Sequence, residues 1–261
     1  MFSQDSRQRM DILGVRVDAV NLDLAARRIG RWIQQRRRRA YVCVAPVATI
    51  MDCQKDPDYR RVVNQADMVT PDGMPVVWIA RTLKRNPQVQ RTYGPDLMRK
   101  LCDEGRARGF RHYFYGGTPE VLKALTEALR RDYPGIHICG CLAPGFRAVG
   151  EKEGPSVLAG INAARPDIVW VGLGSPKQDY WMANHRADVA APVMIGVGAA
   201  FDFVAGVKPQ APRWMRHSGL EWLFRLASEP ARLWRRYVIG NTLFLVLLTR
   251  DIITGKIFRT P

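Results

Sequence analysis

Residues 167–181 have the sequence DIVWVGLGSPKQDYW, and this stretch decides the fold class. An apolar run of strand length ends in Gly-Leu-Gly (172–174), and Ser175, Pro176 and Gln178 follow in the pattern of a helix N-terminus. Such a junction leaves backbone N–H groups at the edge of a sheet, where they bind phosphate well. Every α/β protein needs junctions of this kind. The stretch alone therefore favours a structural interpretation, in which Ser175 and Gln178 form a capping box.

Two further junctions repeat the pattern of strand, glycine and helix. The apolar run 111–115 precedes Gly116 and Gly117, and the run 193–197 leads into Gly196-Val-Gly198. Helices are predicted between the strands, one of them over residues 151–164. Strands that alternate with helices predict an α/β fold: a Rossmann-like, mostly parallel sheet with helices on both faces and ligands at the carboxyl ends of the strands. The dinucleotide motif Gly-x-Gly-x-x-Gly is incomplete at each junction, which argues against a nicotinamide cofactor.

The charge of the chain is concentrated towards its two ends. The 261 residues carry a net charge of +16, with ten Lys/Arg against four Asp/Glu in residues 1–40 and ten against three in residues 207–261. Residues 41–206 are nearly balanced, with twenty against seventeen. A basic periphery on a neutral domain predicts an anionic partner, such as a phospholipid, a diphosphate substrate or a nucleic acid.

Cysteine usage and hydropathy bear on the compartment. Cys43, Cys139 and Cys141 lie in predicted strands, so we expect buried, reduced thiols and a cytosolic location. The first ten residues lack the apolar run of a signal peptide, and the apolar stretch 237–249 is short for a bilayer span. We therefore expect a protein that is neither secreted nor transmembrane.

Two acidic turns are candidates for chemistry. Asp72 lies in the sequence Thr-Pro-Asp-Gly-Met-Pro (70–75), where it could act as a general base at the sheet edge or only cap the following helix. Its local sequence favours the cap. The Asp-Pro-Asp sequence at 56–58 resembles a divalent-metal motif, but its place at a helix start favours a role in helix initiation. No metal site is predicted there.

The composition changes after Gly206, which predicts a Rossmann-like domain over 1–206 and a basic, helical, membrane-associating appendage over 207–261. Three tryptophans and ten basic residues fall in the appendage. On a helical wheel Arg225, Arg232 and Arg236 share one face, with Arg235 at its edge, and apolar residues lie opposite. This arrangement is typical of a segment on an anionic membrane surface, although an amphipathic helix packed on the core would look similar.

Taken together, these motifs resemble the WecG/TagA/CpsF glycosyltransferases over nearly the whole chain. The similarity is carried by VGLGSPKQ (171–178), GVGAAFDFVAG (196–206), APRWM (211–215) and GLEWLFR (219–225), together with DGMPVVW (72–78) and YGPDLM (93–98). The resemblance implies metal-free, inverting transfer of a sugar. The donor would be a UDP-sugar and the acceptor a polyprenyl-diphosphate-linked saccharide at the cytoplasmic membrane face, in the synthesis of cell-surface polysaccharide.

The resemblance also assigns candidate site residues. Asp72 matches a catalytic base and Gln178 an active-site glutamine, while arginines of the appendage would hold the donor's diphosphate. The candidate substrate-binding residues are Thr70, Arg91, Tyr93, Gly116, Gly117, Gly174, Ser175, Gly196, Gly198, Arg225, Arg232 and Arg235. Ala45 or Pro46 stands where the family usually has an asparagine near the sugar. The donor therefore stays open between N-acetylmannosamine, its uronic acid and glucose.

Two other functions remain open from the sequence. The missing asparagine allows a non-catalytic scaffold that binds the membrane within a polysaccharide assembly complex. A pI near 10.2 raises nucleic-acid binding, but the basic residues are interleaved with apolar ones and match no binding module. We expect no cofactor, no metal and no nucleic-acid partner, and the oligomeric state, with a homo-oligomer among the alternatives, stays open.

Overall fold

The computed structural model describes residues 8–36, 39–145 and 153–258, except for the side chain of Arg232. Its strands are β1 (Arg9–Ile12), β2 (Val15–Asp18), β3 (Ala40–Ala45), β4 (Met68–Pro71), β5 (Arg111–Gly116), β6 (His137–Leu142), β7 (Ile168–Gly172) and β8 (Val193–Gly196).

From β2 to β8 one or two helices separate successive strands, and after β8 the helices follow one another. They are α1 (Leu22–Gln35), α2 (Val47–Lys55), α3 (Pro57–Gln65), α4 (Met74–Thr82), α5 (Gly94–Arg106), α6 (Pro119–Asp132), α7 (Pro155–Ala163), α8 (Lys177–Asn184), α9 (Ala200–Val204), α10 (Arg213–His217), α11 (Glu221–Ser228), α12 (Pro230–Trp234) and α13 (Gly240–Ile253). Arg235–Ile239 form a π-helical turn and Lys256–Phe258 a 3₁₀ turn.

The main sheet has six strands in the order β4-β3-β8-β7-β5-β6, and helices flank it. Parallel pairing is seen at each neighbouring pair from β3 to β6, with Tyr41 beside Met194, Val169 beside Met194, and Phe114 beside Trp170. The α/β class and the mostly parallel sheet predicted from the three junctions are confirmed.

The chain divides into two compact units, and the larger contains most of the sheet. Unit 2 comprises residues 22–44 and 93–209. Its strands β7 and β8 are buried along nearly their whole length, which explains why their sequences are continuous apolar runs rather than alternating ones. Trp170, Phe114 and Phe201 are among its largest fully buried side chains.

Unit 1 comprises residues 1–21, 45–92 and 210–261, so the C-terminal helices belong with β4 and α2–α4. Strands β1 and β2 form an antiparallel hairpin in which Asp18 accepts hydrogen bonds from Arg9 Nε and from the backbone N–H of Val69 in β4. Helix α13 packs on α2, and Phe244 is a buried side chain of α13. The proposed membrane association of residues 207–261 stays a prediction.

The helix predicted over 151–164 is present as α7 but begins at Pro155, and residues 151 and 152 lie outside the described residues. Glu153 lies before the helix, buried against Tyr115 and His185. The prediction of buried thiols is confirmed for Cys43 and was wrong for Cys139 and Cys141. Cys139 is half-buried and Cys141 is exposed, because β6 is the last strand of the sheet and is covered incompletely.

The C-terminal segment is not one regular helix. Pro230 begins α12, directly after α11 ends at Ser228, and the π-helical turn 235–239 follows. A π turn is wider than an α turn, so the face that each later side chain occupies shifts. Within residues 8–36, 39–145 and 153–258, no helix combines the length and the apolar character needed to cross a bilayer.

The glycines that end β5 and β7 are required by close packing. Gly116 pairs with Gly172, and a Cβ on Gly116 would lie 2.6 Å from the carbonyl carbon of Gly172. A Cβ on Gly172 would in turn lie 2.6 Å from the ring of Phe201. Backbone atoms cannot move aside as a flexible side chain can. A residue with a Cβ is therefore excluded at position 116 by the backbone of Gly172 as well as by the φ of +123°.

Gly116→Ala should therefore destabilise the protein by about 3 kcal/mol or more in urea unfolding. Gly135→Ala is the matched control, because Gly135 also has positive φ but has no atom within 4 Å of the added methyl. We expect the control to cost about 1–2 kcal/mol from backbone strain alone. Equal losses in the two variants would contradict the packing explanation.

Candidate functional site

A pocket in unit 1 collects the acidic turn and the C-terminal arginines. Its lining has one acidic residue from the turn after β4, one from α11, and four arginines. The lining residues are Pro46, Val47, Ala48, Asp72, Gly73, Met74, Pro75, Arg91, Arg216, Gly219, Glu221, Trp222, Arg225, Arg236, Tyr237 and Asn241. Four guanidinium groups against two carboxylates make the pocket electropositive.

Asp72 is held at the entrance to α4 without capping it. Strand β4 ends at Pro71, Gly73 occupies the N-cap position with φ of +89°, and the helix begins at Met74. The backbone N–H of Asp72 donates to the carbonyl of Ala45 at 3.2 Å. The prediction that Asp72 caps the helix was wrong, because its carboxylate is engaged by an arginine.

Arg91 joins Asp72 to the C-terminal segment. Its Nε donates to Oδ1 of Asp72 at 3.0 Å, and its Nη2 donates to Oε2 of Glu221 at 2.5 Å. Nη1 donates to the backbone carbonyl of Arg216 at 3.3 Å. The side chains of Asp72, Arg91 and Glu221 are only 14%, 15% and 12% exposed, so solvent screens these ion pairs weakly.

The second carboxylate oxygen of Asp72 is the notable atom of the pocket. Among the residues that the structure describes, Oδ2 of Asp72 has no hydrogen-bond partner, whereas Oδ1 is held by Arg91. A carboxylate with one fixed oxygen and one open oxygen can accept a proton from a bound hydroxyl group.

Burial and neighbouring charges set the protonation of this group. Burial raises the pKa of Asp72 above its ordinary value, the charge of Arg91 opposes the rise, and Glu221 adds to it. Burial alone would lower the pKa of Arg91, but Asp72 and Glu221 together raise it above its usual value. Arg91 therefore stays charged, and Asp72 is a stronger base than an exposed aspartate.

The other lining residues come from the C-terminal segment. Trp222 and Tyr237 lie with ring centroids 6.2 Å apart, and burial raises the pKa of Tyr237, so the phenol stays neutral. Arg236 lies on the predicted basic helix face but was not among the predicted site residues. Neither was Arg216, nor Glu221 of the GLEWLFR motif. Only the long-range packing of α10 and α11 brings the last two residues to Arg91.

The predicted arginines have different positions. Arg225 lines the pocket, whereas Arg235 is absent from the lining, and its guanidinium lies 5.3 Å from the ring centroid of Trp234. The side chain of Arg232 lies outside what the structure describes. Thr70 is buried in β4, and within the described part of the chain its hydroxyl has no hydrogen-bond partner.

A second cluster of predicted residues lies in unit 2, at the ends of β7 and β8. Oε1 of Gln178 accepts from the backbone N–H groups of Gly174, at 3.2 Å, and Gly198, at 2.9 Å. Nε2 of Gln178 donates to the hydroxyl of Ser175 at 3.3 Å. Gln178 thus ties together the loops that follow the two strands.

This arrangement corrects the expected helix N-terminus. Helix α8 begins at Lys177, the N-cap position belongs to Pro176, and that cap has no side-chain hydrogen bond. The capping box predicted for Ser175 and Gln178 is therefore wrong, because the amide of Gln178 is occupied with the glycine loops. The N–H groups of Gly174 and Gly198, which were expected to face a phosphate, are already paired.

The remaining predicted residues of unit 2 lie at close contacts, turns and helix starts. A Cβ on Gly196 would lie 2.7 Å from Met182 and 3.0 Å from Nε2 of Gln178. Gly117 has φ of +71° in the turn before α6, and Tyr93 is buried at the N-cap position of α5.

Helix initiation explains the second acidic turn. Asp56 is the N-cap of α3, and its carboxylate accepts from the backbone N–H groups of Asp58 and Tyr59 at 2.9 and 3.0 Å. This confirms the interpretation of residues 56–58 as a helix start. Over the described ranges, no group of three or more His, Cys, Asp or Glu side chains is arranged to hold a metal ion.

The α/β fold and the basic pocket with its two acids are consistent with an enzyme that binds an anionic substrate. Comparison with known families identifies the class. The glycosyl transferase WecG/TagA/CpsF family matches residues 10–257, and the chain belongs to this family. It is a glycosyltransferase.

Curated relatives are named N-acetylglucosaminyldiphosphoundecaprenol N-acetyl-beta-D-mannosaminyltransferase. The chain is similar to the protein of that name from Bacillus spizizenii, with 33% identity over 76% of this chain and 74% of the relative. The Bacillus subtilis relative is 34% identical over 70% and 68% of the two chains. The Staphylococcus aureus relative is 28% identical over 87% of each.

The role of Gln178 in joining the two loops can be tested by Gln178→Met, which keeps the length but removes the acceptor. The backbone N–H groups of Gly174 and Gly198 would lose their shared partner, so we expect a loss of about 2–3 kcal/mol in unfolding free energy. Hydrogen exchange at these two amides should accelerate. Gln65→Met, at an exposed helix end, controls for the substitution itself and should change stability by under about 0.5 kcal/mol. Unchanged exchange at both glycines would contradict the assigned role.

Proposed function

We propose that this protein is an inverting, metal-independent glycosyltransferase with Asp72 as its general base. It moves a hexose from a UDP-sugar to a saccharide linked to polyprenyl diphosphate, at the cytoplasmic face of the membrane. The observation that carries the proposal is the carboxylate of Asp72, fixed by Arg91 at Oδ1 and open at Oδ2, within an arginine-lined pocket.

The reaction is a single displacement at the anomeric carbon of the donor sugar. A hydroxyl group of the acceptor attacks that carbon while Oδ2 of Asp72 takes the hydroxyl proton. The bond from the anomeric carbon to the diphosphate oxygen breaks, and UDP leaves with the electron pair. Attack on the face opposite the leaving group inverts the configuration, and the raised pKa of Asp72 suits it to take the proton.

The departing diphosphate needs positive charge, which arginine side chains can supply. Arg216, Arg225 and Arg236 line the pocket, and a guanidinium binds phosphate oxygens in a bidentate manner. Fixed cations aimed at developing negative charge are a strong source of transition-state stabilisation. The proposal assigns this work to guanidinium groups, which is why it needs no metal ion. The earlier assignments of Arg232 and Arg235 to the diphosphate remain proposals, with Arg236 added to them.

The names of the relatives support the choice of substrates. Those proteins are named for transferring N-acetylmannosamine to N-acetylglucosaminyl-diphosphoundecaprenol. We propose the same acceptor class here, with N-acetylmannosamine as the first donor to test. Ala45 or Pro46 stands where the resemblance places an asparagine, and Pro46 lines the pocket, so a sugar hydroxyl there would have one protein contact fewer.

The exposed surface of the C-terminal segment supports docking on a membrane. Large apolar side chains that are exposed there include Trp214, Trp234, Leu243, Leu245, Val246, Ile253 and Phe258. Together with the ten basic residues of 207–261, they suit an anionic lipid surface. The acceptor proposed above is anchored in such a surface.

The proposed function is tested by measuring UDP release and product formation with a panel of UDP-sugars and a short polyprenyl-diphosphate acceptor. We expect one N-acetylated hexose donor to be preferred, inverted stereochemistry at the new bond, and unchanged rates in EDTA. Binding of the acceptor without turnover for any donor would favour the scaffold alternative. A strict requirement for Mg²⁺ or Mn²⁺ would contradict the assigned role of the arginines.

Asp72→Asn should lower kcat by about 10²–10⁴-fold, because an amide cannot take the proton from the acceptor hydroxyl. The variant keeps the volume of the side chain and an oxygen that can accept from Arg91, so its melting temperature should change little. Asp58→Asn is the matched control, since Asp58 forms an exposed ion pair with Arg61 and is not part of the pocket. Wild-type turnover by Asp72→Asn would remove Asp72 from the mechanism.

Val246→Glu should weaken binding to vesicles of anionic phospholipid about 10-fold or more, because it replaces an apolar contact by a charge of the same sign as the lipid. Val207→Glu makes the same change at a residue outside the C-terminal helices, and the two valines are 59% and 53% exposed. Co-sedimentation with vesicles at two salt concentrations measures both. Equal weakening in the two variants would show that α13 does not form the lipid-binding surface.

A further inference from the structure

Glu221 has a position in the pocket that the proposed reaction does not use. Its carboxylate accepts from Nη2 of Arg91 while Asp72 accepts from Nε, so one guanidinium is shared by two acids that are 149 residues apart in sequence. Both acids are mostly buried. Burying a carboxylate is costly unless it has a specific role or a good partner.

We propose that Glu221 is a positioning residue for the base: by sharing Arg91 it keeps Oδ2 of Asp72 open and the carboxylate of Asp72 basic. This inference rests on the proposed role of Asp72. Glu221 itself touches neither reacting atom in that scheme, and it acts only through Arg91.

The hydrogen-bond geometry of Arg91 supports this role. An arginine facing a lone carboxylate commonly binds both of its oxygens, in a parallel pair of hydrogen bonds. Here Arg91 uses Nε on Asp72, Nη2 on Glu221 and Nη1 on the carbonyl of Arg216. Its terminal nitrogens are directed to the C-terminal segment, so only one oxygen of Asp72 is engaged.

Electrostatics acts in the same direction. The charged or titratable groups that face Asp72 across the pocket are Arg91, Arg216, Glu221, Arg225, Arg236 and Tyr237. Four cations would make an aspartate a poor base if nothing opposed them. Burial raises the pKa of Asp72, and the negative charge of Glu221 adds to that rise against the lowering effects of Arg91 and Arg225.

Glu221→Gln separates charge from shape, because glutamine can still accept a hydrogen bond from Nη2 of Arg91. Removal of the negative charge should lower the pKa of Asp72. The acid limb of the kcat/KM profile should then move to lower pH by about half a unit or more. Because a weaker base accepts the proton less readily, the plateau kcat should fall several-fold while KM for the donor changes little.

Glu221→Ala tests the anchoring role separately. Without the anchor, Nη2 of Arg91 is released and can turn to Oδ2 of Asp72, so kcat should fall further than in Glu221→Gln. Asp58→Asn removes one exposed acid from the same unit and should leave the pH profile unchanged.

The direction of the pH shift decides between the proposal and a purely structural role. If Glu221 only held Arg91 against Asp72, losing it would release Asp72 and move the acid limb to higher pH. An upward shift, or an unchanged limb in Glu221→Gln, overturns the proposal.

A second readout does not depend on turnover. The carboxyl resonance of Asp72, assigned by comparison with Asp72→Asn in protein labelled with ¹³C at aspartate, gives the pKa directly. We expect that pKa to be lower in Glu221→Gln than in the wild type. If the resonance shifts as expected but Asp72→Asn is fully active, the proposed function fails and the coupling survives. If Asp72→Asn is inactive and the resonance does not shift, only the role of Glu221 fails.

Discussion

The ion pairs of Arg91 are the interaction on which the pocket depends. Its guanidinium donates hydrogen bonds to the carboxylate of Asp72 after β4 and to the carboxylate of Glu221 at the start of α11. It also donates to the backbone carbonyl of Arg216 in α10. Removing such a group would leave two poorly hydrated carboxylates facing one pocket, which is far more costly than breaking an exposed pair. The C-terminal segment is therefore attached to the rest of unit 1 through Arg91, the same residue that holds the proposed base.

The fold was predictable because buried strands have a recognisable apolar sequence. Strands such as β7 and β8 are buried on both faces, so their sequences are unbroken apolar runs. Gly172 and Gly196 are the last residues of these strands. The edge of the sheet leaves a weaker mark. β6 resembles a buried strand in its Cys-Gly-Cys sequence, yet its cysteines are half-buried or exposed, since exposure at an edge depends on what covers it and not on local pattern.

The candidate site was predictable only in part, because it is assembled from distant segments. Asp72, Arg91 and Arg225 could be selected from the family resemblance, and local sequence favoured an ordinary cap for Asp72. Glu221 lies within the GLEWLFR motif, but nothing in the local sequence marks it or Arg216 as a pocket residue, since their partner Arg91 is more than a hundred residues away. The helical wheel grouped Arg225 with Arg236 and placed Arg235 at the edge of that face. In the structure Arg225 and Arg236 line the pocket and Arg235 lies over Trp234, although Pro230 and the π turn at 235–239 interrupt the regular helix.

The two clusters of predicted residues also differ in what their polar groups can offer a ligand. In unit 2 the glycine-rich junctions resemble phosphate sites, but Gln178 already satisfies the N–H groups of Gly174 and Gly198. A ligand that displaced Gln178 would have to replace both hydrogen bonds, so little binding energy would remain. In unit 1 the arginine side chains provide positive charge, and a ligand can bind them without breaking backbone hydrogen bonds. One carboxylate oxygen of Asp72 is also open. Binding of the proposed diphosphate by the side-chain cations of unit 1 therefore costs fewer existing hydrogen bonds than binding at the glycine loops of unit 2.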